Sequence, residues 1–214
     1  MIDASEFQYL AADIGAEISA KGAGMLIAYP EAMLEENQVV NLTAIRDRDT
    51  AVMLHALDSV SMAICPFDEA PKCALDIGTG NGFPGVAIAC LFPETEVLLI
   101  DRTLKKLKAI ERAFTYVGFD PDRLKVMQLD AAEGPSQELG KKFDLITARA
   151  VSGPHDIGKL AAPLLAPSGR LLTWLGPETE APTTLKGGLR LVGEVEYFLP
   201  NPADRTRHLA DYKE

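Results

Sequence analysis

Residues 74–85 read Ala-Leu-Asp-Ile-Gly-Thr-Gly-Asn-Gly-Phe-Pro-Gly: an apolar run interrupted by an acid, a turn with glycine at every second position, and a proline where a helix would begin. No other stretch restricts the fold so strongly. Gly78, Gly80 and Gly82 let the chain reverse and bring bare backbone up to a ligand. Pro84 is favoured at a helix start because the first helical N–H has no intrahelical partner. The spacing is Gly-x-Gly-x-Gly, not the Gly-x-Gly-x-x-Gly of dinucleotide folds, and no Lys-Ser/Thr follows as in a phosphate-binding loop. A second apolar run, 97–100, closes on Asp101, where an acid can reach ribose hydroxyls. The ordered set of strand, acid, glycine turn, helix, strand and acid points to a ligand that carries adenosine without a pyrophosphate. S-adenosylmethionine meets that description.

Downstream the chain alternates. Strands are expected near 73–77, 96–101, 124–128, 143–148 and 169–174, and helices near 84–92, 103–117 and 154–165. Such alternation builds a parallel sheet covered on both faces. Residues 189–198 and 207–212 read as a closing antiparallel hairpin, and 176–187 as an exposed loop. Upstream, Phe7, Leu10, Ile14 and Ile18 predict one amphipathic helix within 3–29. Pro30 is expected to open a second helix running toward Val40, and Asp49-Thr50 to cap a third through Ser61. The expected organisation is a helical extension over 1–62 and an α/β domain of Rossmann-like, mostly parallel type over 63–214, folded as a single unit.

Composition narrows the function. At 47% hydrophobic and 24% charged residues the chain reads as globular. It has no apolar stretch long enough to span a bilayer. The opening Met-Ile-Asp-Ala-Ser-Glu lacks the basic segment and apolar core of a secretion signal, so a cytoplasmic location is expected. Cys65, Cys73 and Cys90, like His55, His155 and His208, are scattered without metal-ligand spacing, so free thiols and no metal are expected. A net charge of −10 excludes a general nucleic-acid binder held by phosphate contacts. Any RNA contact must rest on a local patch: Arg46 with Arg48, or Arg102, Lys105, Lys106, Lys108 and Arg112. The second group reads first as a solvated helix face.

Several motifs recur in a fixed order. Asn41-Leu42-Thr43-Ala44-Ile45-Arg46 is followed by His55 with Asp58-Ser59, the Gly78–Gly85 turn, Thr147-Ala148-Arg149-Ala150 and Arg207-His208-Leu209. In these the chain resembles the bacterial small-subunit ribosomal RNA methyltransferase G family, from about Leu34 to the tail. The resemblance implies a class I S-adenosylmethionine-dependent methyltransferase with an N-terminal helical extension, acting on N7 of one guanosine in 16S rRNA. The implied partner is the small ribosomal subunit, with no membrane, and a monomer is the default.

The same resemblance, laid over the loops after the strands, assigns the candidate site. Gly78 and Gly80 let backbone approach the methionine part of the cofactor, Phe83 covers its flat side, and Asp101 accepts from the ribose hydroxyls in charge-assisted bonds. Ala132 and Glu133, after the third strand, hold the adenine. Arg149, ending the fourth strand, contacts the cofactor beside the methyl group and is the catalytic candidate; it can also donate to guanine O6. Asn41, Arg46, His55 and Arg207 face the RNA. Each has a plainer reading: Phe83 as packing, Asp101 as a cap, Arg149 as a salt bridge, Asn41 as a turn residue, His55 as a bridge between helices. Two positions depart from the family pattern, Glu36 where it usually has tryptophan and Ala131 where it often has a base.

Two other functions fit the same residues: a small-molecule methyltransferase of this fold, and a cofactor-binding ribosome-assembly factor without catalysis. No Ser-His-Asp set or paired catalytic carboxylates occur, as expected for attack by guanine N7, which carries no proton to remove.

Overall fold

The computed structural model of the 214-residue chain describes residues 1–130, 139, 142–149, 154–176 and 178–214. Helices α1 (Ala4–Asp13) and α2 (Ala20–Asn37) come first. A helical run follows: α3 (Arg48–Ala51), a π-helical stretch (Val52–Leu57), α4 (Asp58–Val60) and a 3-10 turn (Ser61–Ile64). Then come β1 (Cys73–Ile77), α5 (Gly85–Leu91), β2 (Glu96–Asp101), α6 (Leu104–Val117), β3 (Leu124–Gln128), β4 (Phe143–Arg149), α7 (Pro154–Ala161), β5 (Leu165–Leu175), β6 (Arg190–Leu199) and β7 (Arg205–Lys213).

The seven strands form one sheet in the order β3-β2-β1-β4-β5-β7-β6. The first five run parallel, and β7 is antiparallel to both β5 and β6. The order reverses beside β1, so the carboxyl ends of β1 and β4 diverge into a crevice, the usual ligand position in such sheets. Because side chains alternate across a strand, each central strand feeds two cores. Ala74, Leu99, Leu145 and Trp174 face a core shared with the N-terminal helices, α5 and α6. Leu75, Ile100, Ile146 and Leu171 face the core shared with α7.

The N-terminal helices depart from the expected boundaries. The single helix predicted within 3–29 is broken by Gly15, whose φ of +85° ends α1 in a Schellman motif: Gly15 N–H donates to Ala12 O and Ala16 N–H to Ala11 O. Ser19 then caps α2, accepting from Gly22 N–H. Pro30 opens no helix. It lies inside α2, buried along with Leu26, Tyr29 and Met33, and the packing of that stripe outweighs the missing backbone bond. The cap of the third helix is Asp47, two residues before the expected one, with Oδ1 accepting from Thr50 N–H at 2.7 Å.

Candidate functional site

The carboxyl ends of β1, β2 and β4 open into a cavity of about 650 Å³, within the usual range for small-molecule sites. Its floor is the glycine turn, where Gly78, Gly80 and Gly82 all have positive φ (+67°, +56° and +94°). The last two serve different ends. A Cβ on Gly82 would lie 2.2 Å from Tyr29 Oη, whereas one on Gly80 would meet only Gly78 O, at 3.8 Å. Gly82 makes room for packing, and Gly80 leaves the cavity open.

Two carboxylates hold the turn. Asp76, fully buried on β1, accepts from Gly85 N–H at 3.1 Å and from the Thr147 hydroxyl at 2.8 Å. Burial pushes its carboxyl up to about 6, with the Thr147 and Gly85 bonds and the Arg149 charge opposing. Asp101 reaches across from β2: Oδ2 accepts from Gly80 N–H (3.1 Å) and Oδ1 from Thr103 N–H (2.8 Å). On the far side, Tyr29 donates its hydroxyl to Asn81 O (2.9 Å) and sets its ring edge-on to Phe83, 5.3 Å between centroids.

The opposite wall is organised by Asp58, which is 1% exposed. Its Oδ1 accepts from Tyr197 Oη (2.7 Å) and Arg207 Nε (3.0 Å), and its Oδ2 from Arg149 Nη1 (3.0 Å) and Arg207 Nη2 (3.2 Å). Its backbone oxygen accepts from Trp174 Nε1 at 2.9 Å. Arg149 also donates to Ser59 Oγ at 3.1 Å. One carboxylate thus carries two guanidinium groups from different strands and sets their spacing. Burial and the neighbouring Asp58 charge push the Tyr197 hydroxyl well up, so it stays a neutral donor.

Above them, His55 lies nearly parallel to Phe83, with 20° between the planes and 6.0 Å between centroids. Burial, reinforced by the Arg149 charge, pushes its imidazole down to about 3. It is therefore neutral at physiological pH. Its Nε2 lies 3.0 Å from Thr43 Oγ1, which accepts from Ile45 N–H at 3.2 Å.

Gly78, Gly80, Phe83, Asp101, Arg149, His55 and Arg207 all line this cavity. Asn41 is exposed beside it, on the loop whose next residues, Leu42 and Thr43, do line it. Arg46 is exposed and rests its guanidinium on the carbonyls of Thr43 and Ile45. Arg48 is turned away into the N-terminus, on Asp49 (2.8 Å) and Ile2 O (2.9 Å). Ala132 and Glu133 lie outside the described residues. Glu36, in place of the family's aromatic, forms a double hydrogen bond with Arg112 and ties α2 to α6.

The sequence assigned no role to three contributors. The buried amide of Asn37 clasps the 41–45 loop: Oδ1 accepts from Leu42 N–H (2.8 Å) and Thr43 N–H (3.0 Å), and Nδ2 donates to Thr43 O (3.0 Å). A polar residue on the buried stripe of α2, one turn after Met33, was its signal. Thr43 carries no such mark, and Tyr197 reaches Asp58 from an edge strand far along the chain. Among the described residues, no group of three potential ligands could hold a metal ion, and no helix is long and apolar enough to cross a membrane.

A mostly parallel sheet with an antiparallel end, a glycine turn after β1 and an acid ending β2 define a class I S-adenosylmethionine-dependent methyltransferase. Solved structures share the fold at low identity. A chain of a fibrillarin/Nop5p complex matches with TM-score 0.54 and 14% identity, over 76% of this chain and 82% of that one. A candidate methyltransferase from Thermoplasma acidophilum matches with TM-score 0.51 and 16% identity, over 67% and 68%. The family model described as rRNA small subunit methyltransferase G matches residues 23–201, and the chain belongs to that family. Among its relatives, the ribosomal RNA small subunit methyltransferase G of Leptothrix cholodnii is 35% identical over 173 residues, covering 78% of this chain and 76% of that one. The protein of the same description from Syntrophotalea carbinolica is 31% identical over 180 residues, covering 83% and 80%.

Proposed function

We propose that this protein transfers a methyl group from S-adenosylmethionine to N7 of a guanosine in 16S rRNA, the nucleotide at position 527. The observation that carries the reading is a single 650 Å³ cavity bounded by the glycine turn, Asp101 and an anchored Arg149, in a chain of this family. The residues suit the cofactor. Gly78 and Gly80 present backbone with no side chain in the way, and Asp101 faces the cavity with its carboxylate already aligned by two N–H donors.

When bound, the cofactor supplies an electrophilic methyl on a good leaving group. The chain's own work is then to place the acceptor. Guanine N7 has an in-plane lone pair and no proton at neutral pH, so no general base is required. His55, its imidazole held down to about 3, is a weak base, and the Asp58 carboxylate is closed by four donors. Positioning alone can supply about 7–11 kcal/mol. Arg149, fixed by Asp58 and Ser59, contributes a donor toward guanine O6 while N7 stays free.

The test is incubation with labelled S-adenosylmethionine and, separately, small ribosomal subunits, free 16S rRNA and a small-molecule extract, followed by mass spectrometry of the nucleosides. Label in N7-methylguanosine is expected. Label on an exocyclic nitrogen, a ribose hydroxyl or only in the small-molecule fraction would sink the assignment. Arg149→Ala should lower turnover roughly 10²–10³-fold, as for loss of one donor at a preorganised site, with a smaller change in RNA binding.

A further inference from the structure

The chain carries 21 lysines and arginines against 31 acids, so the cations left unneutralised are informative. Most arginines near the cavity are already engaged. Arg149 and Arg207 share Asp58, Arg48 pairs with Asp49 at 2.8 Å, and Arg112 is held by Glu36. Arg102, Lys105, Lys106 and Lys108 differ. None forms an ion pair with a described residue, and Arg102, Lys105 and Lys108 are exposed. They fall just after β2 and on the first turns of α6. Lys106 lines the ligand cavity, while Arg102 lines both that cavity and a shallower neighbouring hollow walled by Lys105 and Leu104. Lys105 and Lys108, three residues apart on a helix, are surface neighbours. The carboxylates nearby are Asp101, whose oxygens accept from Gly80 and Thr103, Asp130, which lines both hollows, and exposed Glu111, three residues after Lys108 on α6.

A positive edge thus runs from the mouth of the cavity along α6 on an otherwise acidic molecule. We infer that this edge, rather than a rim of Arg46, Arg48 and Arg207, receives the phosphodiester backbone of the RNA whose guanosine enters the cavity. The inference rests on the function proposed above. Exposed cations contiguous with a site concentrate a polyanion there and bind it through release of its counterions. Arg48 and Arg207, already closed on Asp49 and Asp58, would first have to lose those partners, and Arg46, exposed and without an ion pair to a described residue, has its guanidinium engaged by the Thr43 and Ile45 carbonyls.

The experiment compares the parent with Lys105→Glu/Lys108→Glu and with Arg46→Glu, measuring binding of 16S rRNA across a salt series, methyl transfer and cofactor affinity. Neither lysine lines the ligand cavity, so an unchanged cofactor Kd shows that the variant is folded. For two lost phosphate contacts the slope of log affinity against log salt should shrink by about 1.4–1.8. The KM for RNA should rise at least tenfold and kcat at saturating RNA stay within twofold. Lys105→Gln/Lys108→Gln should show a smaller loss of the same kind, and Arg46→Glu less than either. If the parent methylates RNA and the double Glu variant keeps the parent's slope and KM, the surface is wrong while the function stands. If the parent binds RNA with the larger slope and the variant does not, yet no methyl is transferred, the surface stands and the function falls.

Discussion

Asp58→Asn preserves the volume of the side chain and removes its charge, and its cost follows from the four donors that converge on it. Tyr197 Oη and Arg207 Nε meet Oδ1, and Arg149 Nη1 and Arg207 Nη2 meet Oδ2. An amide can offer only one oxygen, so in either orientation its NH2 faces a guanidinium donor and at least two donors lose their acceptor. Hydrogen bonds to charged groups contribute about 1.5–3 kcal/mol each, and stripping one partner from a buried ion pair costs about 3–5 kcal/mol. The side chains of Arg149 and Arg207 are 11% and 19% exposed, enough for some water to reach them, which places the expected loss at the lower end, about 3 kcal/mol. With a urea m-value of about 2–3 kcal/mol/M for a chain of this size, the unfolding midpoint should fall by about 1 M at unchanged m. Combining Asp58→Asn with Arg207→Gln should reveal a coupling of about 1–3 kcal/mol, because the second change removes a charge that the first has stranded. A midpoint within about 0.3 M of the parent, or strict additivity in the double variant, would refute the account of Asp58 as the residue that holds the two arginines.

Other outcomes follow from the same geometry. Asp101→Ala should weaken S-adenosylmethionine binding by about 1–3 kcal/mol through lost ribose bonds; equal affinity by calorimetry would remove Asp101 from the cofactor site. Gly80→Ala and Gly82→Ala should part company: the first folds, at about 1–2 kcal/mol for a left-handed residue, and loses cofactor affinity, whereas the second unfolds more readily because its Cβ would strike Tyr29 Oη; thermal melts alongside calorimetry separate the two. The His55 imidazole, held down to about 3, should show no NMR titration between pH 8 and 5. Since the unfolded histidine titrates near about 6.5, the folded chain binds fewer protons in between, and this contribution to stability is present above pH 6.5 and lost as the pH falls toward 3. Asp76, raised to about 6, acts in the opposite sense, its burial cost easing below that pH. His55→Gln should therefore gain stability relative to the parent on acidification from pH 6 to 4, and parallel curves would contradict the assignment.

The strands and the glycine turn were legible in the sequence because each depends on local rules. β1, β2 and β3 fall on the expected residues, since short apolar runs bounded by turn residues have few alternatives once helices alternate with them. The turn was legible for the same reason: three glycines at alternate positions and an acid at the end of the next strand are nearest-neighbour chemistry. The N-terminal helices were harder. Periodicity runs through Gly15, yet its left-handed φ ends α1, and Pro30 sits mid-helix because tertiary burial of Tyr29 and Met33 prevails over local preference.

The far wall of the site belongs to the tertiary structure alone. Arg149 and Arg207 read as two independent cations, one for catalysis and one facing the RNA, and only the folded chain shows them sharing one carboxylate with Tyr197. Asp58 lies 91 residues from the first arginine and 149 from the second, so no spacing rule links them; they meet because β7 inserts beside β5 and carries Arg207 back to the helix that holds Asp58. Local sequence dictates which backbone can turn and where a strand must end. Which charges remain free to meet a ligand depends on which others the fold has brought within three ångströms, and that is decided by packing.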